Sequence, residues 1–504
     1  MHKNNAYIIS VDLGTSSVRA CLVDQSLHIL QHFSVHTVLS TDANGKAEQN
    51  PQEVLQAALT CINEIIRGSE DAGIQPQAVC FSNTTGSLVY LDEDFQPLGP
   101  VLTYADLRSA SESRALIDAF GHAYFEVNAT PMHASYWLPK LIWLKNQGLD
   151  LTQCQYFCTL KDLLLYQITG RFVTDYSNAA ATGMYNAATG DWDERLVNIA
   201  GIRINQLPEI HPTYHILDAD RTKGDILKNW PPNLKIVVGA IDGVLSSLGA
   251  GAFKPGQVTT MIGSSGACRI AASTPLTGSA TRQTWSYPLD DQTWIRGGAM
   301  NSGGLVTEWL VKNFSESRNT NPEAYGELFH SAAQVAAGAE GLIFLPYLFG
   351  ERAPIFDEHA RGVFFGLHSS HQRSHMARAG LEGILMALYS IYNIIQPDND
   401  AEIEIRASGG YLQSELMLQI QADIFGKPIL IPANFEGSII GAAALALKSL
   451  GNIDSYDAIS EEIRIEKEIH PDHQNHRVYQ HKFEHFKTLY QQLKPLFDEI
   501  SGIG

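Results

Sequence analysis

Two distant stretches of this chain share one plan: an apolar strand, a tight turn of small polar residues, and a second strand that returns beside the first. The first is Tyr7-Ile-Ile-Ser-Val11, the turn Asp12-Leu-Gly-Thr-Ser-Ser17 and Val18-Arg-Ala-Cys-Leu-Val23. The second is Val258-Thr-Thr-Met-Ile262, the turn Gly263-Ser-Ser-Gly266 and Ala267-Cys-Arg-Ile-Ala271. Apolar runs bounded by glycine and serine read as strands joined by turns, and the recurrence of one supersecondary unit points to a duplicated architecture. The pattern predicts two similar lobes, 1–243 and 244–504, meeting just after Asp242. Pro, Gly and Ser are not concentrated at that boundary, so the lobes are expected to hinge and not to swing on a tether.

Between these hairpins the signals alternate between helix and strand. Asn50-Pro51-Gln52-Glu53 carries an N-cap, a proline at the first helical position and a Glu suited to a capping box, and Val54, Ala58, Cys61, Ile62 and Ile65 follow at helical spacing. Strands are predicted at 78–82, 235–241 and 403–407, and helices around 111–119, 140–145, 415–425 and 438–447. The stretch 463–500 is helical in pattern. This alternation is α/β.

A chain of 504 residues exceeds what one core serves, and 44% hydrophobic against 18% charged residues is enough apolar surface for a folded protein. A net charge of −19 repels phosphate backbones and anionic lipid, which excludes nucleic acid and acidic membranes as partners. The six cysteines, at 21, 61, 80, 154, 158 and 268, have neither metal-ligand spacing nor the density of a disulfide framework, which fits a reducing compartment. No apolar run is of membrane-spanning length, and the first one reaches Asp12 too early for a signal-peptide core. The expectation is a cytoplasmic protein that handles a small molecule.

The familiar nucleotide motifs are missing. There is no GxGxxG, and the Gly-Lys pairs at 45 and 426 are followed by Ala and Pro, so neither is a P-loop. In their place stand the two hydroxyl-rich turns. Their N–H groups and side chains suit a phosphate chain, with Arg19 supplying positive charge and Asp12 an acid for a metal. Asp242 ends an apolar strand and precedes a glycine, where α/β folds put ligand-contacting groups. It reads either as the cap of the helix that follows or as a general base taking a proton from an attacking hydroxyl.

Asp12-Leu-Gly-Thr-Ser-Ser-Val-Arg19, Gly239-Ala-Ile-Asp-Gly243, Gly263-Ser-Ser-Gly266, Gly350-Glu-Arg-Ala-Pro354 and Ala407-Ser-Gly-Gly410 resemble, in order and spacing, the motifs of the FGGY carbohydrate kinases of the actin-like ATPase superfamily. The likeness runs nearly end to end. It implies two actin-like, ribonuclease H-like α/β lobes with a catalytic cleft between them, and transfer of the ATP γ-phosphoryl group to a sugar, polyol or sugar-acid hydroxyl. The first lobe would hold the sugar and one phosphate loop, and the second would hold ATP. Carried over residue by residue, Asp242 is the base, and Asp12 and Asp242 are the Mg²⁺-associated acids. Gly14, Thr15, Ser16, Arg19, Ser264 and Ser265 are phosphate contacts, with Ser264 standing where the family more often has Thr. Gly303, Gly304, Gly409, Gly410 and Glu415, with Gln419, lie on the adenosine side. A homodimer is the family's common state.

Within the family, Asp242-Gly-Val-Leu-Ser-Ser-Leu-Gly249, Met300-Asn-Ser-Gly-Gly304 and Thr130-Pro-Met-His133 look most like gluconokinases, and Tyr104-Ala-Asp-Leu-Arg108 is similar to their Trp-Ala-Asp-x-Arg segment. The resemblance implies a sugar site of Thr85, Gly86, Tyr104, Asp106, Arg108 and His133 beside Asp242. Where gluconokinases and xylulokinases carry Met-His in the substrate loop, this chain has Ser82-Asn-Thr-Thr-Gly-Ser87. Loss of an imidazole removes a directional hydrogen-bonding group, and sugar discrimination rests on such groups. Trp137 also departs from the family's Pro, Ser or Thr three residues before Lys140, and is expected to extend an apolar wall. D-Gluconate is the expected substrate. The alternatives are a ketopentose such as xylulose or ribulose, and a sugar- or nucleotide-binding protein without catalysis. His481 and His485 read as part of a solvated amphipathic helix around Lys482, Cys154 and Cys158 as buried thiols, and Leu163 to Leu165 as core.

Overall fold

The computed structural model describes residues 6–317, 320–396, 402–433, 436–460 and 462–501; the opening segment 1–5 lies outside them. The chain forms two compact units, each assembled from three segments. One comprises the described residues of 1–253, 272–295 and 436–463, and the other those of 254–271, 296–435 and 464–504.

The first unit is built on a six-stranded sheet of β1 (Tyr7–Leu13), β2 (Ser17–Asp24), β3 (Ile29–His36), β4 (Ala78–Asn83), β5 (Ile216–Asp218) and β6 (Lys235–Ile241), in the order β5-β6-β4-β1-β2-β3. The strands β6, β4 and β1 are parallel, and β1-β2-β3 is an antiparallel meander. In the second unit, β7 (Gln257–Ile262), β8 (Gly266–Ala272), β9 (Trp294–Met300), β10 (Glu404–Ser408), β11 (Ile429–Pro432) and β12 (Ile465–Ile469) are neighbours in the order β12-β11-β10-β7-β8-β9. There too the first hairpin, β7 with β8, is antiparallel, β7 is parallel to β10 and β10 to β11, and the edge strand β12 is antiparallel. The two sheets repeat one pattern over the hairpin and the two parallel strands beside it, β1-β2 with β4 and β6 in the first and β7-β8 with β10 and β11 in the second. The hairpin repeat read from the sequence is its visible trace.

The core of the first unit follows from apolar faces. The helix α1 (Pro51–Asp71) starts at Asn50, whose side chain accepts from the Gln52 and Glu53 N–H groups, satisfying donors that a helix start leaves unpaired. It packs on β1, β2 and β3 and buries Val54, Ala58, Cys61, Ile62 and Ile65 in one core with Val79 and Phe81 of β4 and Leu163, Leu164 and Leu165 of α2 (Leu160–Thr169). Against β1 and β4 lies α4 (Gly437–Ser449), which also packs along α3 (Asp242–Gly249). All six cysteines are free and buried, and burial pushes the thiols of Cys80 and Cys154 up to about 12 and about 11.

Two expectations need correction in the second unit. The stretch 463–500 is not helical throughout: Ile465–Ile469 is a strand, and the helix is His473–Ser501. The alternation in Ile-Glu-Lys-Glu-Ile is that of an edge strand, and β11 supplies its partner. Lys482 is not solvated. Its Nζ lies 2.6 Å from Glu382 Oε2 and donates to the carbonyls of Gly338 and Leu342, while Arg378 and the Tyr479 hydroxyl bond Glu382 Oε1. This buried cluster ties the last helix to the helix Arg373–Ile395. His481 and His485 do stand exposed. Among the described residues no helix is long and apolar enough to cross a membrane.

Candidate active site

In the first unit, Leu13 of β1, Asn83 of β4 and Ile241 of β6 lie side by side at the carboxyl ends of three neighbouring parallel strands. Open α/β sheets bind ligands at such ends. Here the edge brings together residues from three separate sequence motifs: Asp12, Thr84 with Thr85, and Asp242.

Asp12 is paired in register with Arg19 across the hairpin and with Ser82 on β4. Both neighbours bond its carboxylate: Arg19 Nη2 donates to Oδ2 at 2.9 Å and Ser82 Oγ to Oδ1 at 2.8 Å. Asp12 thus lies within the strand, one step earlier than the turn that the sequence suggested. Arg19 Nη1 also donates to Glu436 Oε2 at 2.9 Å. Burial alone would lower the Arg19 pKa, but Asp12 and Glu436 outweigh it and raise it. The turn itself is closed by Gly14 N–H donating to the Ser17 carbonyl and is braced by Gln49, whose amide donates to the Thr15 carbonyl. Ser16 is exposed at its tip.

Asp242 is the first residue of α3, and Ile241 is its N-cap. The carboxylate Oδ1 accepts from Gly243 N–H at 2.7 Å and from Thr85 Oγ1 at 3.2 Å. One carboxylate oxygen therefore serves both the helix start and the 82–87 loop. Beside it, the buried Tyr287 hydroxyl lies 3.2 Å from that of Tyr136; burial, then Tyr136 and the charge of Asp242, push the Tyr287 pKa up.

Gly86 lies against the next wall: a Cβ there would meet the Ser135 carbonyl at 3.1 Å and Tyr104 Cβ at 3.7 Å. His133 Nδ1 accepts from Ser135 N–H at 3.2 Å, which puts the proton of a neutral ring on Nε2. Asp106 is 1% exposed and accepts from Ala47 N–H at 3.0 Å and from Arg108 Nη2 at 2.6 Å. Arg108 reaches on to Glu48 at 2.6 Å and lies over the Trp143 ring. The pair is thus a bridge between the 104–108 segment and the strand Ala47–Gln49. Lys140 joins the walls, with Nζ donating to the carbonyls of Thr103 and Ser135. Trp137 is buried, with its indole N–H on the Ser87 carbonyl.

The second unit has its own strand-end cluster. Ile262 of β7 leads into Gly263–Ser265, and Ser408 of β10, in register with Met261, leads into Gly409 and Gly410. Gly304 N–H donates to the Gly263 carbonyl at 2.7 Å and Leu305 N–H to that of Ser264 at 3.1 Å. The backbones approach so closely that a Cβ on Gly303 would meet Ser265 C at 2.5 Å, and one on Gly409 the Ile262 carbonyl at 2.4 Å; only glycine fits. Gly350-Glu-Arg-Ala-Pro354 supports the same turn: Glu351 accepts the Asn301 and Ser302 N–H groups and Arg352 Nε donates to Asn301 Oδ1 at 2.8 Å. Burial raises the Glu351 pKa against those hydrogen bonds. Glu415 stands exposed, 2.6 Å from Lys467, and Gln419 bonds Asp423 and the His470 carbonyl.

Two strand-end clusters on repeated sheets are the arrangement that the resemblance implied, and comparison with known proteins decides the family. Residues 7–249 match the N-terminal domain of the FGGY family of carbohydrate kinases, and residues 259–450 match its C-terminal domain. The chain belongs to the FGGY family of carbohydrate kinases. It is therefore an α/β phosphotransferase that uses ATP and a sugar-type acceptor. A gluconokinase of Bacillus subtilis is 34% identical over 99% of this FGGY chain and 96% of its own length. A xylulose kinase of Staphylococcus epidermidis is 27% identical over 98% of this chain and 99% of its own. The crystal structure of a gluconate kinase from Lactobacillus acidophilus superposes with a TM-score of 0.92 at 29% identity, covering 99% of this chain and 100% of that one.

Several residues around this candidate site escaped the sequence reading. Ser82, Glu436 and Tyr287 reach Asp12, Arg19 and the Asp242 region only through the fold. Glu436 is 417 positions from Arg19, and no local pattern connects them.

Proposed function

We propose that this kinase phosphorylates D-gluconate on its terminal hydroxyl, giving 6-phosphogluconate, with Asp242 as the general base. The observation that carries the substrate is the full-length identity of 33–34% to two gluconokinases, against 26–28% for the xylulose kinases. For the base, the support is the position of Asp242 at the start of α3, immediately after β6, hydrogen-bonded to Thr85 of the proposed substrate loop. A carboxylate there takes the hydroxyl proton as the oxygen attacks the γ-phosphorus, a contribution of roughly 10²–10⁴ in rate.

In this reading the first lobe holds the sugar against Thr85, Gly86, Tyr104, Asp106, Arg108 and His133. Gly14, Thr15, Ser16 and Arg19 meet the phosphates there, as Ser264 and Ser265 do in the second lobe. Gly303, Gly304, Gly409, Gly410 and Glu415 form the adenosine side. Arg19 must exchange a carboxylate partner for a phosphate oxygen to do so. Asp12 and Asp242 would hold Mg²⁺, a fit supported by the donor set: carboxylate oxygens with lone pairs beyond the single bond each Asp12 oxygen accepts. Bound Mg²⁺ would neutralise charge on the β- and γ-phosphates. A cytoplasmic setting fits the six free thiols, and a homodimer is the expected assembly.

A second reading has one specific support. A xylulose kinase structure from Lactobacillus acidophilus also superposes with a TM-score of 0.92 at 29% identity, and Thr85 stands where an imidazole would read the sugar. Mg·ATP-dependent ADP release with gluconate, xylulose, ribulose and glycerol, compared as kcat/KM, separates the readings. A dominant gluconate signal is expected; a dominant ketose signal replaces it with the second reading.

A further inference from the structure

A buried polar network encloses the Asp242–Thr85 contact from behind. Asp175, Ser177 and Lys161 are fully buried, and Asn178 and Asn83 are 2% and 1% exposed. Asp175 Oδ2 accepts from Lys161 Nζ at 2.6 Å and from Asn178 Nδ2 at 2.6 Å, and its Oδ1 accepts the Ser177 hydroxyl and the N–H groups of Ser177 and Asn178. One arm runs forward: Ser177 Oγ accepts from Ile241 N–H at 3.0 Å, one residue before Asp242, and Lys161 Nζ donates to the Val238 carbonyl on the same strand at 3.2 Å. The other arm runs through Asn178 Oδ1, which accepts from Asn83 Nδ2 at 2.9 Å; that amide also donates to the Thr84 carbonyl at 3.0 Å. Thr85 follows and bonds Asp242. The circuit closes on itself.

A buried ion pair stabilises a fold no better, and often less, than apolar residues of the same volume, whereas a buried polar network selects one arrangement through the bonds it makes. Here Asn83 Oδ1 is left without a partner among the described residues, while its amide makes both of its bonds. This network grips the backbone on both sides of a contact whose geometry decides proton transfer. We propose that Asp175, Ser177, Asn178 and Lys161 are positioning residues for phosphoryl transfer, holding the Asp242 carboxylate and the Thr85 hydroxyl in register. The proposal rests on the reading of Asp242 as the base. All four are buried, so in this proposal they act through Ile241 and Asn83.

The test is steady-state kinetics with Mg·ATP and D-gluconate, and in parallel D-xylulose, on Ser177→Ala, Ser177→Thr, Asn83→Ala and Asp242→Asn, with thermal melts of each. Misplacing a reacting group by about 1 Å costs on the order of 10² in rate, so Ser177→Ala is expected to lose about 10- to 100-fold in kcat. KM for sugar and ATP should stay within about two-fold, the signature of a transition-state effect. Ser177→Thr should recover most of the loss by restoring the hydroxyl. Asn83→Ala, which cuts the other arm, should lose kcat in the same way and decides the matter if Ser177→Ala does not fold. Wild-type kcat in both truncations, or a loss that follows only the folded fraction, overturns the positioning role while an inactive Asp242→Asn leaves the base reading intact. An active Asp242→Asn overturns both.

Discussion

Thr85 donates a hydrogen bond of 3.2 Å to Asp242, joining two residues that lie 157 positions apart in the chain. The 82–87 loop, where the resemblance led one to expect Met-His, is therefore in direct contact with the residue proposed as the base. Under the proposed roles, substrate choice and proton transfer meet at one hydrogen bond.

Asp242→Asn should bind ATP as the parent does and lose roughly 10²–10⁴ in kcat, the usual worth of a positioned base. Calorimetric titration with ATP and coupled ADP release check the two halves separately. Turnover equal to the parent's would remove Asp242 from the mechanism.

Thr85→Val deletes the hydroxyl while keeping the shape, and Thr85→Ser keeps the hydroxyl. A hydrogen bond to a charged group contributes about 1.5–3 kcal/mol, so the valine variant should lose on the order of ten-fold or more in kcat/KM for the sugar and the serine variant little. Equal behaviour of the two would mean that the bond has no part in turnover.

Gly303→Ala places a methyl 2.5 Å from Ser265 backbone carbon. The Gly263–Ser265 turn must shift, and KM for ATP is expected to rise at least about ten-fold, the factor that 1.4 kcal/mol represents. Direct binding of the sugar, measured without nucleotide, should not change. Loss of sugar binding as well would show that the turn is not a nucleotide element.

Lys140 carries a pH dependence. Burial, with Arg108 adding and Asp106 opposing, lowers its pKa from 10.5 to about 7. The folded state then favours the neutral amine, so this group's contribution to stability is largest above the unfolded value and declines as pH falls from about 10.5 to about 7. The stability gap between the parent and Lys140→Met should therefore narrow over that window and level off below it, as read by urea melts at several pH values. A gap that stays constant with pH contradicts the shift.

Arg19 is held by Asp12 and by the half-exposed Glu436. Exposed pairs contribute about 0–1 kcal/mol, so Glu436→Gln should leave the melting temperature nearly unchanged and lower KM for ATP, because Arg19 then has one fewer competing anion. Arg19→Ala should raise that KM. If the two changes move KM in the same direction, Arg19 does not serve the phosphates.

Much of the architecture was legible because its signals are local. Asn50 before Pro51 predicted a helix start that the structure shows with both side-chain bonds, and the apolar run 235–241 ends at the strand terminus. The 465–469 strand was misread because its alternation is short and lies beside a long helical pattern; only the partner β11 distinguishes the two. Lys482 was misread because charge alone argues for solvent, and its partner Glu382 comes from 100 positions away.

The sequence by itself determined the repeated hairpins, the α/β class, the family and the residue types at the strand ends. These depend on neighbours along the chain: backbone preference, apolar period and turn chemistry act over a few residues. The tertiary structure alone decided that Thr85 meets Asp242, that Arg19 is shared between Asp12 and Glu436, that Asp106 and Arg108 bridge to Glu48, and that Lys161 and Asp175 stand buried behind the site. Each of these is a pairing between segments far apart in sequence. Desolvation and hydrogen-bond geometry choose such partners only after the sheet has set which strand ends lie side by side.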